Sequence, residues 1–283
     1  MQISKYVHAL KIPFEIKTET GILERFVYSY LIAGDTLVLI DSGVKNSEEI
    51  IFDYMEEIGL DPEDLTLLIL THSHPDHIGS ASSIKRKTYC EVAAHSGEKE
   101  WIEDIDLQFK ERPVPNFHSL LDGPVEVDIV LEDGDEFELD GKLNLKVIHT
   151  PGHSNGSISI FLREEKILFS GDAIPLKGGL PIYDDYRASL DSVQKLKDIE
   201  KLKWLLSSWD DPQQGDELYL IFEEAIDYLK TINDTVAQVS ENEEDANSLE
   251  FTKKVLKELG IPEMAANPIV ERSFQANLRE LGE

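Results

Sequence analysis

The sequence predicts a mixed α/β chain, a sandwich of sheets covered by helices, with a helical extension at its C-terminal end. Three observations predict it. Short apolar runs rich in β-branched residues are interspersed with helix-spaced segments between residue 26 and about residue 207, which puts strands and helices in one unit. Several neighbouring runs are separated only by turn residues, so hairpins contribute beside crossovers. From Gly215 onward only helix-spaced patterns remain. We therefore divide the chain into a sandwich, residues 1–212, and an extension, residues 213–283.

In chain order, "FVYSYLIAGDTLVLI" (26–40) is two β-rich runs around Gly34-Asp35, a hairpin signal. "NSEEIIFDYMEEIGL" (46–60) has an Asn/Ser start, early acids and a Gly near its end, which predicts a helix. "LTLLIL" (65–70) is a continuous apolar run, as expected of a strand buried on both faces. Further strand patterns lie at 87–94, 127–131, 135–139, 143–149, 157–163, 166–170 and 203–207, and helical patterns at about 78–85, 95–104 and 189–201. Three helical segments follow, starting near Asp216, Asn247 and Asn267, and the acidic "ENEEDAN" (241–247) reads as a solvated connector between the first two. No internal repeat at solenoid periods is present.

Composition narrows the function. At 283 residues, 41% hydrophobic and 29% charged, the chain can bury a sizeable core. Its net charge of −29 repels phosphate backbones and anionic lipid surfaces, so neither a nucleic-acid nor a membrane partner is expected. No apolar run approaches the ~18–20 residues that cross a bilayer. The start, "MQISKYVHALKIPFEI", lacks the basic opening and apolar core of a signal peptide, so a cytoplasmic protein is expected. The lone cysteine, Cys90, lies in apolar "TYCEVAAH" with no basic neighbour, and reads as a buried structural thiol rather than a nucleophile.

The chemistry concentrates in "THSHPDHIGS" (71–80), which follows the buried run directly. In extended backbone His72, His74 and Asp76 point to one side. Pro75 disfavours helix at His74 yet can open a helix that swings His77 back to a second position. Imidazoles and carboxylates in such number are the ligands of zinc and iron. Two later segments repeat the design of strand, tight turn and ligand: "LNLKVIHTPGHS" presents His153, and "KILFSGDA" presents Asp172, whose two oxygens can bridge a pair of metals. Asp41, in "VLIDSG", can fix an imidazole's tautomer, and His149 is either a similar support or a structural histidine.

Together "THSHPDHIGS", "HTPGHS", "FSGDA" and the hairpin ending in "LIDSG" resemble the metallo-β-lactamase superfamily over roughly residues 22–212. The resemblance implies a four-layer αβ/βα sandwich with a metal site along one edge. It implies that His72, His74 and His153 hold a first divalent metal, that Asp76 and His77 hold a second, and that Asp172 bridges them; zinc, iron and manganese all suit such ligands. Within the superfamily the chain looks most like glyoxalase II-type hydrolases. One part departs from the pattern. The family's last ligand is a histidine after a late strand, whereas "WLLSSWDDPQQG" (204–215) has Trp209 there, and no histidine follows His153. Trp209 cannot ligate because its nitrogen is only a donor. Asp210 beside it either supplies the missing ligand or caps the turn.

The leading expectation is a metallohydrolase of a small-molecule ester, thioester or lactone, with Asp76 orienting the attacking water and shuttling its proton. A tyrosine of "LKGGLPIYDDY" (177–187) could donate to a developing oxyanion, His118 in a Pro-rich loop could cap the site, and Lys177 and Arg187 are the local cations available to an anionic substrate. His8 and His95 read as structural or solvated. The second class is oxygen chemistry at one iron held by His72, His153 and Asp172, as in persulfide dioxygenases. A nuclease is disfavoured by charge, and a non-catalytic metal scaffold is a fourth reading. A homo-oligomer through the C-terminal helices is also an expectation.

Overall fold

Strands β1 (Val7–Thr18) and β2 (Gly21–Ala33) make a long antiparallel pair, and β3 (Leu37–Ile40) returns beside β2 as the Gly34-Asp35 hairpin requires. β1 was not among the expected strands. It alternates Leu10-Lys11-Ile12-Pro13-Phe14-Glu15-Ile16, and its Pro13 is tolerated because β1 forms the edge of the sheet. In the computed structural model, which describes residues 1–18, 21–139, 141–215, 217–241, 243, 245, 246 and 248–282, two six-stranded sheets pack face to face.

The first sheet continues through crossovers. Helix α1 (Ser47–Glu57) leads to β4 (Leu65–Ile69), parallel to β3. The short α2 (Pro75–Ile78) and α3 (Ala81–Thr88) lead to β5 (Glu91–His95), and α4 (Ser96–Glu103) with α5 (Ile105–Glu111) leads to β6 (Ile129–Leu131). Parallel neighbours need such long connections, because a tight turn can only reverse the chain. The second sheet is a meander of β7 (Glu136–Leu139), β8 (Leu143–His149), β9 (Ile158–Leu162) and β10 (Ile167–Gly171). Helix α6 (Tyr186–Lys197) then crosses to β11 (Trp204–Ser207), parallel to β10, and β12 (Gln213–Gln214) pairs with β11. That last strand lies beyond residue 212, inside the segment assigned to the extension.

Helices α7 (Leu218–Ser240), α8 (Leu249–Glu258) and α9 (Pro268–Leu281) complete the chain. Positions 242, 244 and 247 of the acidic connector lie outside the described residues. None of the described helices is long and apolar enough to cross a membrane.

Side-chain alternation divides the core into three. Val38, Ile40 and Ile69 of the first sheet meet Val147, Ile160 and Phe169 of the second between the sheets. Leu39 and Leu68, pointing the other way, pack with Ile51, Met55, Ile84 and Ile102 of the covering helices. Ile148, Phe161 and Leu168, on the outer face of the second sheet, share one cluster with Val193 of α6, Phe222 of α7 and Phe274 of α9. The order is helix, sheet, sheet, helix, the four-layer αβ/βα sandwich. Among the described residues the C-terminal helices share the cluster on the outer face of the second sheet and complete its fourth layer.

Phe274 is fully buried in that layer. Phe274→Ala should therefore destabilise the sandwich itself, by about 3–5 kcal/mol. Denaturation followed by far-ultraviolet dichroism and by tryptophan fluorescence should shift as one transition. A separate early loss of helix, with the main transition unmoved, would contradict the shared core.

Candidate metal centre

β4 carries the chain straight to the metal-loop sequence. Its last residues are fully buried, and Thr71 beyond them is pinned by Asp41, whose carboxylate accepts from the Thr71 N–H and from Thr71 Oγ1, both at 2.8 Å. His74 is extended (φ −66°, ψ 148°), and Pro75 occupies the first position of α2, where its missing N–H costs nothing. One turn of helix then folds His77 back against the loop, as the sequence suggested. From the second sheet, β8 leads to Gly152, whose φ of +129° and contact with α6 (an added Cβ would sit 2.3 Å from Ser189 N) admit only glycine. His153 follows. β10 ends at Gly171, φ +51°, and presents Asp172.

The ring atoms converge. His72 Nε2 and His153 Nε2 lie 3.0 and 2.8 Å from His74 Nδ1, and Asp172 Oδ2 is 3.4 Å from His153 Nε2 and 3.9 Å from His72 Nε2. The other oxygen of Asp172 stands 3.4 Å from His77 Nε2, which is 3.5 Å from Asp76 Oδ2. Two groups result, His72/His74/His153/Asp172 and Asp76/His77/Asp172, with ligand atoms of each within 4.8 Å of one another and Asp172 common to both.

The tautomers are set from behind. His153 Nδ1 donates to the Ile182 carbonyl at 2.8 Å and His77 Nδ1 to Asp41 Oδ2 at 2.9 Å. Thr71 spends its hydroxyl proton on Asp41, so it accepts from His72 Nδ1 at 3.0 Å. His72 and His153 thus turn an Nε2 lone pair inward, and His77, with Nδ1 committed to Asp41, leaves its Nε2 for a cation that would displace the proton there. Burial lowers the pKa of His72, His74 and His153, with the Arg112 charge adding most at His74, so these rings are neutral and free to ligate. Burial opposes charge on His77 too, yet Asp172, Asp76 and Asp41 outweigh it and hold its pKa well above the ordinary value. Asp172 is likewise buried, but His77 above all holds it far below the usual carboxylate range.

These donors fit a divalent cation. His77 Nε2 and Asp172 Oδ1 are buried with no hydrogen-bond partner among the described residues, an arrangement that is costly without something between them. Imidazole nitrogen with carboxylate oxygen is the ligand chemistry of zinc, iron and manganese.

Not every expected residue joins. Asp210 is not brought into either group: its Oδ1 accepts from the Asp211 N–H and its Oδ2 from Gln213 Nε2, which is the turn-capping alternative. Trp209 instead donates Nε1–H to Asp172 Oδ2 at 2.9 Å. His149 is away from the centre, stacked on His95 at 4.2 Å and bonded to the Asn155 carbonyl. His8 bonds Tyr54, and His118 packs on Phe109 and Phe117. Tyr183 spends its hydroxyl on Asn277 and Tyr186 is buried in the outer core, so neither is the expected oxyanion donor. Lys177 faces Glu224 and Arg187 pairs with Glu280 on the surface. Cys90 is buried, and burial raises its pKa.

Sequence reasoning missed two residues. Glu98, in the first turn of α4, is 1% exposed and accepts from the Ser73 N–H and hydroxyl, the Ser154 hydroxyl and the Gly156 N–H, tying the two ligand loops together. Only its early-helix position was visible in sequence. Arg112, which ends α5, gave no signal in "KERPVPN".

The profile of the metallo-β-lactamase superfamily matches residues 22–203. Over 157 residues the chain is 32% identical to the probable metallo-hydrolase YqgX of Bacillus subtilis, covering 53% of this chain and 66% of that one. It is 29% identical over 161 residues to the hydroxyacylglutathione hydrolase GloC of Haemophilus influenzae, 55% of this chain and 71% of that one. To the acyl-coenzyme A thioesterase MBLAC2 of Gallus gallus it is 35% identical over 141 residues, 43% and 48% of the two chains. The match thus spans about two thirds of the first of these relatives and under half of the last. The metallo-β-lactamase family protein TTHA1429 of Thermus thermophilus superposes with a TM-score of 0.77 at 20% identity, over 99% of this chain and 95% of that one.

His72→Ala and His153→Ala should each remove bound metal and turnover together. Asp41→Ala, which deletes no ligand, should weaken metal binding by about 10–100-fold through the freed imidazoles. Metal titration against a competing chelator reads all three; unchanged affinity in the Asp41 variant would mean that the rings are held by packing alone.

Proposed function

We propose that this chain, which belongs to the metallo-β-lactamase superfamily, hydrolyses a small-molecule acyl compound, a thioester in first place and an ester or lactone beside it, at a two-metal centre. One observation carries the reading: the two ligand groups are joined through Asp172, and Asp76 and His77 have no duty at a single metal. Two relatives bear the names of acyl hydrolases, one for hydroxyacylglutathione and one for acyl-coenzyme A.

His72, His74 and His153 with Asp172 would hold one metal, and Asp76, His77 and Asp172 the other. When bound, the pair supplies hydroxide at neutral pH and polarises the scissile carbonyl. Asp76 is the ligand most open to solvent, its side chain 15% exposed against 0% for His77. It stands at the mouth of the site, where it orients the attacking water, takes its proton and returns it to the departing thiolate or alkoxide. The atoms balance: the acyl carbon gains an oxygen, the C–S or C–O bond breaks, and the leaving group departs protonated.

A second reading has one observation in its favour. Trp209 leaves the Asp76/His77 group with three protein ligands, which suits a single iron at His72, His153 and Asp172 doing oxygen chemistry.

Chelation should abolish thioester hydrolysis, and Zn²⁺, Mn²⁺ or Fe²⁺ should restore it. Oxygen uptake with persulfides and no hydrolysis across a thioester, ester and lactone panel would transfer the assignment to the dioxygenase class. Trp209→His should create the absent ligand and tighten the weaker of two metal-binding steps about tenfold or more. A single step in both proteins would count against a two-metal centre.

A further inference from the structure

Arg112 is the outlier among the charged residues. It is only 4% exposed, its Nε is buried, and its guanidinium makes no hydrogen bond or ion pair with any described residue. Burial lowers its pKa, but a guanidinium stays charged at any physiological pH. A buried cation that no carboxylate contacts is costly, and a bound oxyanion would offset that cost.

The space beside it has the right form. A groove of about 380 Å³ runs between the end of α5 and the side of α9, lined by Arg112, Arg272 and Arg279 with an apolar wall at Ile269. Two acids also line it, Glu111 and Glu271. Glu111 is engaged by Trp101 Nε1 at 2.9 Å. Arg272 grips Asp184 with two bonds of 2.6 and 2.9 Å, and Arg279 holds the Asp184 carbonyl. Asp184, the carboxylate that acts most strongly on Arg112, is thus already committed to Arg272. In a chain of net charge −29 this is a concentration of cations that needs a reason.

The elements that form the groove are tied to the loops of the metal centre. Gln108, one turn before Arg112, donates to the Ser73 carbonyl between His72 and His74 at 2.6 Å. Asp184 N–H bonds the Gly152 carbonyl next to His153 at 2.7 Å. The Arg112 charge itself acts on His74 and His153.

We infer that this groove is a substrate subsite for an oxyanion, a carboxylate or phosphate carried on the leaving group, with Arg112 as its anchor. The inference rests on the acyl-hydrolase reading above and deepens it: the substrate is anionic, and α9 of the last layer helps to bind it. A charge-assisted, two-pronged contact from a guanidinium is the interaction that selects such groups. It also supplies the local cation that an acidic surface cannot.

The test has two arms, both on the full-length, metal-loaded protein, wild type and Arg112→Gln. In the first, acetyl thioesters of N-acetylcysteamine (neutral), mercaptosuccinate (carboxylates) and phosphopantetheine (phosphate) are compared. The substitution should raise KM about 10–100-fold for one of the charged thioesters, with kcat nearly unchanged and the neutral thioester unaffected. Which charged thioester responds identifies the oxyanion, and Arg112→Lys should recover part of the loss. Equal effects on all three, or on none, would overturn the subsite. In the second arm, inorganic phosphate and succinate are titrated in thermal unfolding. One should raise the wild-type Tm more than that of Arg112→Gln; identical responses to both probes count against the anchor. This arm decides even if no thioester is cleaved, in which case the hydrolase reading fails and the anion site stands. With no ligand present, Arg112→Gln should match or exceed the wild-type Tm, since it deletes an unpaired buried charge. A large drop would show that Arg112 is a structural strut instead.

Discussion

A buried carboxylate holds this site together. The candidate ligands come from two different sheets, His72 to His77 from the first and His153 with Asp172 from the second, and sheets that merely pack through Val38, Phe169 and their neighbours fix no position to the accuracy a metal would demand. Glu98 does. It lies between the ligand loops and takes donors from both, Ser73 on one side and Ser154 with Gly156 on the other. An ion so deeply buried is tolerated because four donors replace its water and because it sits in the first turn of α4, where the helix dipole favours a negative charge. Without it those donors would be left buried and unmatched. Asp41 plays the corresponding part within the first sheet, and its left-handed backbone (φ +59°) is the conformation that aims its carboxylate at Thr71 and His77 at once.

The distribution of charge follows from the same constraint. The surface carries the large negative excess, while the centre offers three neutral imidazoles beside a His77 ringed by carboxylates. Neutral rings keep their lone pairs for a metal, and the carboxylates supply the negative charge that a second cation needs. Arg112 stands at the border of these regions. Burial alone is the larger cause of the neutral state of His74, and the Arg112 side chain faces the groove beside α9.

What could be read from sequence was what neighbours in the chain decide. The strands and helices of the sandwich followed from local periodicity, and the ligand cluster from spacing within six positions. β1 was missed although Leu10 to Ile16 alternates, because Pro13 reads as a break unless the strand is known to lie at an edge. The seven-residue α5 is too short for its periodicity to speak. Glu98 and Arg112 were illegible for a different reason: their meaning lies in Ser154, Gly156 and α9, which only folding brings near. Local reasoning also misled. It supplied Lys177 and Arg187 as cations because they follow Asp172 in sequence, yet each turns to a C-terminal helix.

Trp209 stands where the family resemblance led us to expect a ligand, and it makes a different kind of contact. A histidine in its place would offer a lone pair to a metal; the indole offers a proton, and it gives that proton to Asp172 Oδ2, the oxygen that faces His72 and His153. The carboxylate is thereby oriented rather than released. Its other oxygen remains aimed at His77. The carboxylate common to the two groups is not symmetric, because Oδ2 shares its lone pairs with a fixed donor and Oδ1 does not. A donor on one oxygen draws carboxylate charge towards itself, so it orients Asp172 at some cost to the charge that either oxygen would offer a cation. Trp209 thus fixes the direction of the Asp172 carboxylate, with Oδ2 held by the indole and Oδ1 left facing the Asp76/His77 group.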